Sequence, residues 1–327
     1  MNNLKEKIKV KISNNRLLYR VVRYIYTVIK HPERLPKKMS CGELNPDKNI
    51  FIIRPNSEDC VQGFLSLFIQ SLRWIDYANR KGYCPYIDYK NYQTQYSDGS
   101  NVWDYYFTQP NGMSYDEAYA SKKIILSGPM IFEDVDYRLF EKEIFCDEAL
   151  CEKCNRIIWD NIQLSKELNE AVEREMTEID IYNCIGVYIR GTDYIKLKPS
   201  GEFVQPQIDE VIQQIDIMKS RNPENKVFLV TEDGDYYNIL KTKYDKDIIT
   251  IHDDFHVSNY DGHDYLSKSN VLDADKKRRG MIYLVKIIML SRCSKIITSI
   301  TRGSIAAYAM NGGIYKEKFV FDLGLYP

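Results

Sequence analysis

From Cys184 to Phe321 the chain alternates short, β-branched apolar runs with longer stretches of helical period, an order that few folds accommodate. The runs are "CIGVYI" (Cys184 to Ile189), "KVFLV" (Lys226 to Val230), "DIITI" (Asp247 to Ile251), "SKIITS" (Ser294 to Ser299) and "KFVF" (Lys318 to Phe321). Between them, Ile208, Val211, Ile212, Ile215 and Met218 fall on one helical face, and "MIYLVKIIMLSRC" and "GSIAAYAM" add two further helices. Strands joined through helices pair in parallel and are covered on both faces, so the expected class is α/β.

The first of these strands ends in an arginine. Ile185 to Ile189 suits a buried strand, Arg190 follows it, and Gly191 permits a tight turn. Ligands of open α/β sheets bind at the carboxyl ends of strands, where a guanidinium can fork two hydrogen bonds onto a phosphate. The competing reading is a local ion pair between Arg190 and Asp193 that closes a surface turn.

The first half repeats the pattern once. "NIFIIRPN" (Asn49 to Asn56) reads as a strand, and Leu65, Phe68, Ile69, Leu72, Ile75 and Tyr77 give a helix ended by Gly82. "YCPYIDY" then begins a second strand, completing a right-handed βαβ unit. Gly63, at the loop-to-helix junction, is a place where backbone could approach a ligand. The aromatic stretch that includes "NVWDYYFTQPNG" reads first as packing and second as a sugar-stacking surface. "SKKIILSGP" suggests another strand, residues 134–180 a charged helical region, and 177–183 a linker. These signals divide the chain into a basic arm at 1–45, an α/β domain at 46–180 and a second α/β domain at 181–327.

A chain of 327 residues is long enough for two cores, and its net charge of −1 gives no reason to expect nucleic acid as a partner. The balance is uneven, however. Residues 1–40 carry eleven Lys and Arg against Glu6 and Glu33. Leu17, Leu18, Val21, Val22, Ile25, Tyr26 and Ile29 recur there at helical spacing beside Arg16, Arg20 and Arg23, a pattern suited to an anionic membrane surface or to packing on the protein itself. No apolar run approaches the ~18 residues of a transmembrane helix, and no secretory signal is expected. The eight dispersed cysteines read as cytoplasmic thiols. Cys146, Cys151 and Cys154 are close enough to suggest zinc, but small buried thiols on a helix are the favoured reading.

Neither GxGxxG nor GxxxxGK[ST] occurs between residues 184 and 321. Lys276 to Arg279 form a basic run ahead of a helix, read as a solvated face with phosphate or acceptor contact as the minor alternative.

Three segments in order, "YIRGTDY" (Tyr188 to Tyr194), "VFLVTEDGDYYNILKTKY" (Val227 to Tyr244) and "MLSRCSKIITSITRGSIAAYA" (Met289 to Ala309), resemble the nucleotide-binding half of the GT-B fucosyltransferases related to α-1,6-fucosyltransferase, nodulation-factor fucosyltransferase and protein O-fucosyltransferases. The resemblance spans residues 185–310 and, more faintly, the Gly63 region and "NVWDYYF". It implies two Rossmann-type domains facing a cleft, with 46–180 on the acceptor side and 181–327 binding the nucleotide sugar. It also implies that Arg190 and Asp193 match the arginine and aspartate of a His-x-Arg-x-x-Asp motif whose arginine holds the β-phosphate, with Tyr188 standing where the histidine would be. By the same resemblance Glu232 or Asp233 reads the base, and Thr301 and Arg302 contact phosphate, with Gly303 and Ser304 opening the next helix. Guanine presents adjacent donors that one carboxylate can accept together, whereas uracil presents a single N–H, which favours GDP over UDP.

The resemblance therefore implies an inverting transferase with GDP-fucose, or another GDP-sugar, as donor substrate and no cofactor or metal. Glu202 is the expected base, with Glu58, Asp59 and Asp193 as alternatives, and Arg190 neutralises the leaving diphosphate, assisted by Arg302. Asp233 and Asp235 also form a DxD pair, which could hold a divalent ion, while Asp253 and Asp254 read as loop solvation. The expected acceptor is a glycan or lipid-linked glycan of surface polysaccharide synthesis at the inner face of the plasma membrane. Use of another nucleotide sugar, or non-catalytic nucleotide or glycan binding, are the alternatives.

Overall fold

The computed structural model describes residues 16–55, 62–260 and 275–327, arranged in two compact units. Residues 1–15 of the basic arm and the alternative bases Glu58 and Asp59 lie outside the described residues.

The first unit comprises residues 1–61, 70–103 and 109–136. Its elements are α1 (Arg16–Lys30), β1 (Lys37–Met39), β2 (Ile50–Ile53), α2 (Phe64–Arg80), β3 (Cys84–Ile87), α3 (Tyr115–Tyr119) and β4 (Ile124–Leu126), with α2 shared between the units. The sheet order is β1-β4-β2-β3, with β2 parallel to both neighbours and β1 antiparallel to β4. Ile50 and Ile52 point into one core with Tyr86, Ile124 and Leu126, as the period of two along a strand requires. The expected arm is thus not separate throughout. Residues 37–39 form an edge strand too short to show any alternation in the sequence. Helix α1 is held by Arg20, which donates to the Phe132 carbonyl, and by Tyr24, edge-on to Phe132 at 5.4 Å. Leu17, Val21, Val22, Ile25 and Ile29 remain exposed.

The second unit comprises residues 62–69, 104–108 and 137–327. It contains α4 (Glu148–Asn161), α5 (Lys166–Glu178), β5 (Cys184–Tyr188), α6 (Thr192–Leu197), α7 (Ile208–Arg221), β6 (Lys226–Val230), α8 (Gly234–Tyr244), β7 (Ile248–Ile249), α9 (Lys276–Arg292), β8 (Lys295–Ser299), α10 (Arg302–Asn311) and β9 (Glu317–Phe321). Five parallel strands run in the order β7-β6-β5-β8-β9. The order reverses between β5 and β8, the switch point at which open α/β sheets bind ligands.

The residue 180 boundary differs from this division, because the helical region before it packs with the second unit. Asn155 of α4 donates to the carbonyls of Ala309 and Met310 at 2.8 and 2.9 Å, and Trp159 donates to Met310 at 3.0 Å. Cys151 and Cys154 lie on the buried face of α4, where burial pushes the Cys151 thiol up to about 12. The aromatic stretch is packing: Tyr106 and Phe107 are buried with Phe64 and Phe68. The basic run does not precede a helix but forms the first turn of α9, capped by Asp275, and Lys277 pairs with Glu167 at 2.7 Å.

Candidate active site

Strand β5 presents Ile185, Val187 and Ile189 to a core completed by Val211, Ile215 and Met218 of α7. The alternate residues Gly186, Tyr188 and Arg190 therefore face α9 and α10. Gly186 is forced by this packing: a Cβ there would stand 2.6 Å from Leu290 Cδ1. Two residues on, Tyr188 fills the space and its hydroxyl lies 3.0 Å from that of Tyr283 on α9. A Cβ at Gly303, in the first turn of α10, would come 2.5 Å from the Tyr188 hydroxyl, so the glycine makes room for the tyrosine.

Beyond Tyr188 a small cleft is lined by Arg190, Thr231, Glu232, Tyr283 and Lys286. Arg190 turns Nε and Nη2 toward Asp193 at 3.3 and 3.1 Å, leaving Nη1 without a partner among the described residues and a quarter (25%) of the side chain exposed. Its guanidinium also lies 4.3 Å from the Tyr194 ring centroid. Burial opposes the charge on Arg190, but the carboxylates of Asp193 and Glu232 outweigh it and hold the guanidinium well above its ordinary pKa. The ion pair and the ligand-facing reading of Arg190 are thus compatible: one edge is anchored and the other is open.

Asp193 is fully buried and accepts from Arg190, the Thr192 hydroxyl and the Tyr194 amide. That placement makes it an anchor for Arg190 and removes it as a base. Asp233 is likewise committed. One oxygen accepts from the Tyr236 amide at 2.9 Å as the cap of α8, and the other from the Thr192 amide at 2.5 Å. Thr192 sits at φ 38°, and the Asp233 carboxylate occupies the space that a Cβ at Gly191 would need. Asp233 therefore shapes the turn behind Arg190, and Glu232, half-buried at the cleft, is the carboxylate left to face a ligand. Asp235 is exposed on α8, so the DxD residues serve different surroundings.

At the switch point, Thr301 and Ser304 form a reciprocal capping box at the start of α10. Their side chains are used by the helix, not held out for phosphate. The Arg302 and Gly303 amides, first in the helix, have no intrahelical acceptor and are suited to an anion. The Arg302 guanidinium pairs with Glu141 at 3.0 Å and donates to the Phe140 carbonyl, so phosphate contact would require it to leave Glu141. Gly63 is not among the residues that line the Arg190 cleft.

Glu202 is exposed on a loop fixed to the C-terminal segment, where Gly201 donates to Tyr326, Val204 to Gly324, and Tyr326 back to Glu202. Burial pushes the Tyr194 phenol up to about 12; the Arg190 charge opposes that rise and the Glu202 carboxylate adds to it, placing Glu202 in the electrostatic neighbourhood of Arg190's stacking partner.

Sequence reasoning missed Tyr283 and Lys286. Lys286 is 2% exposed and pairs at 2.5 Å with Asp254, itself 3% exposed, so Asp254 is a buried ion-pair partner and not a solvating loop residue. The pair anchors the 251–257 segment, in which the Val257 amide donates to the Glu232 carbonyl at 2.8 Å and the Gly234 amide to the Val257 carbonyl at 2.9 Å. The available signal was a single lysine inside the apolar run "MIYLVKIIML".

No protein-family model and no curated protein matches the sequence. Solved structures do match. The α-1,6-fucosyltransferase NodZ soaked with GDP-fucose aligns at 16% identity and a TM-score of 0.50, covering 81% of this chain and 93% of NodZ. The selenomethionine form of NodZ from Bradyrhizobium aligns at 16% identity and 0.48, covering 85% and 96%. A mutant of Arabidopsis thaliana FUT1 in complex with GDP aligns at 10% identity and 0.41, covering 84% and 70%. The match at 0.50 shows a shared fold, the GT-B-type α/β architecture expected from the sequence.

Proposed function

We propose that this chain is a metal-independent inverting glycosyltransferase that moves fucose from GDP-fucose onto a glycan hydroxyl. The observation that carries the reading is Arg190 at the carboxyl end of β5, anchored by Asp193 on one edge and open on the other, beside Glu232 in a cleft next to the switch point. The fold match to NodZ, a fucosyltransferase soaked with GDP-fucose, supports the donor.

In this reading Arg190 Nη1 and the Arg302 and Gly303 amides hold the diphosphate and stabilise the charge it gains as the glycosidic bond breaks. Glu232 accepts the paired N–H groups of guanine. Glu202 takes the proton of the acceptor hydroxyl as that oxygen attacks the anomeric carbon. The exposed apolar and basic face of α1 supports a site of action at the inner face of the plasma membrane, on a lipid-linked acceptor in surface polysaccharide synthesis.

Calorimetric titration with GDP and with UDP tests the donor reading. Preferential GDP binding that is weakened in Arg190→Ala and loses its preference over UDP in Glu232→Ala supports it. A preference for UDP, or no nucleotide binding by folded protein, removes it.

A further inference from the structure

A second cavity, of about 710 Å³, lies entirely within the first unit, at the carboxyl ends of β2 and β4. Its volume falls within the range of small-ligand sites. Four segments line it, 32–37, 54–55, 91–93 and 126–129, and two buried charged side chains tie them together.

Arg54, just past β2, donates Nε to the Ser127 carbonyl at 2.7 Å and Nη1 to the Glu33 carbonyl at 3.0 Å. Its Nη2 reaches the carbonyls of Arg34 and Leu35, both at 3.3 Å. It thereby ties the 32–37 loop to the turn after β4. Asp88, fully buried after β3, accepts from the amides of Lys90 and Asn91 at 2.9 Å, from the Asn91 side chain at 2.8 Å and from the Tyr119 hydroxyl. It fixes the loop that carries Tyr92 and Gln93, and the Tyr92 ring completes the brace 5.0 Å from the Arg54 guanidinium carbon.

Among the described residues the lining is cationic and rich in polar groups. Arg34, Lys37 and Arg54 outnumber Glu33, whose carboxylate lies 3.6 Å from His31. Lys37 is exposed and makes no ion pair among the described residues. Asn91 Nδ2 is engaged by Asp88 and the Tyr115 hydroxyl and the Tyr92 ring lies against Arg54, so the loop offers a hydroxyl-bearing ring the Asn91 Oδ1 acceptor and an aromatic edge.

We propose that this cleft binds a saccharide carrying a negative charge, as a carboxylate or a phosphate. The saccharide half of the assignment rests on the glycosyltransferase reading, in which such a sugar belongs to the acceptor; the charge preference rests on the lining alone.

The test is titration of the full chain with tetragalacturonate, glucose 1-phosphate and maltotetraose. At least one anionic probe is expected to bind roughly tenfold or more tightly than the neutral one, and which of the two does so identifies the source of the charge. Lys37→Glu is expected to weaken that binding by roughly tenfold or more, whereas Lys38→Glu, on the opposite face of β1, leaves it within about twofold. Both sites are exposed, so both variants are expected to fold, which matching melting curves check. Equal binding of maltotetraose, no binding of any probe, or equal losses in the two variants overturns the proposal. GDP titration of the same variants separates the two readings. Retained GDP affinity in Lys37→Glu keeps the cleft distinct from the nucleotide site, and lost affinity makes it part of that site and overturns the assignment. Absent GDP binding with intact saccharide binding sinks only the donor reading.

Discussion

The hydroxyl of Tyr188 lies 3.0 Å from that of Tyr283, and the two phenols fill the space above Gly303 where α10 begins. Burial raises the pKa of both, so both stay neutral and one hydroxyl donates to the other. The tyrosine that stands in the histidine position of the resembling motif thus packs the switch point and also lines the Arg190 cleft. Gly303→Ala should cost about 1–3 kcal/mol of stability by overpacking against it. In a Tyr188→Ala background the same change should cost less, because of the two phenols only the Tyr283 hydroxyl, 2.7 Å from the added Cβ, then has to shift. Denaturant unfolding of the four proteins measures the coupling, and additive losses would show that Gly303 is not fitted to Tyr188.

Anchoring on one edge predicts unequal roles for Arg190 and Asp193. Arg190→Ala removes the phosphate donor and should weaken GDP binding by about 1.5–3 kcal/mol, roughly tenfold to a hundredfold. Asp193→Asn leaves the guanidinium in place but less firmly oriented, so its loss of affinity should be smaller. Calorimetry decides this, and a larger effect from Asp193→Asn would mean that Asp193 itself meets the ligand.

Glu232 and Asp233 are neighbours with opposite commitments. Asp233→Ala removes the α8 cap and the acceptor of the Thr192 amide, and should lower stability by about 1–3 kcal/mol. Glu232→Ala should leave the melting temperature nearly unchanged and abolish discrimination between GDP and UDP. Paired melting and binding curves test the split; a stable Asp233→Ala protein with lost nucleotide preference would exchange the two roles.

A buried ion pair resists the loss of one partner far more than the loss of both. Lys286→Met leaves the Asp254 carboxylate buried and uncompensated, and should cost about 3–5 kcal/mol. Adding Asp254→Leu should recover most of that loss. If the double variant is no more stable than the single one, the pair is not what holds the 251–257 segment.

The parallel order of the second sheet was legible because β5, β6 and β8 are buried on both faces and read as unbroken apolar runs. Arg190 stood out for the same reason, as a charge directly after such a run. What could not be read were partnerships between residues distant in sequence. Asp233 looked like a base-reading carboxylate because its two amide donors, Thr192 and Tyr236, are defined only once β5 and β6 lie side by side. Asp254 looked solvated because Lys286 is 32 residues away. Thr301 looked like a phosphate contact, although a Thr three residues ahead of a Ser is also the spacing of a reciprocal cap. Residues 137–180 looked like part of the first domain because helix periodicity does not say which sheet a helix covers.

His256 gives this region a pH dependence whose sign follows from its surroundings. The ring stacks on Tyr237 with centroids 4.0 Å apart, and Nε2 lies 3.5 Å from the Asp254 carboxylate. Burial is the largest influence and lowers the imidazole pKa below 6.5; Lys286 lowers it further, while Asp254 and Asp233 act in the opposite direction. A group that protonates less readily folded than unfolded contributes its full stability above the unfolded pKa. That contribution declines as pH falls from about 6.5 toward the folded pKa and is constant below it, because the unfolded chain binds more protons across that window. The melting temperature should therefore fall between pH 7 and pH 5, and His256→Gln should flatten part of that slope while leaving the region above pH 7 parallel to wild type. A variant whose profile stays as steep, or steepens, would place the titration elsewhere.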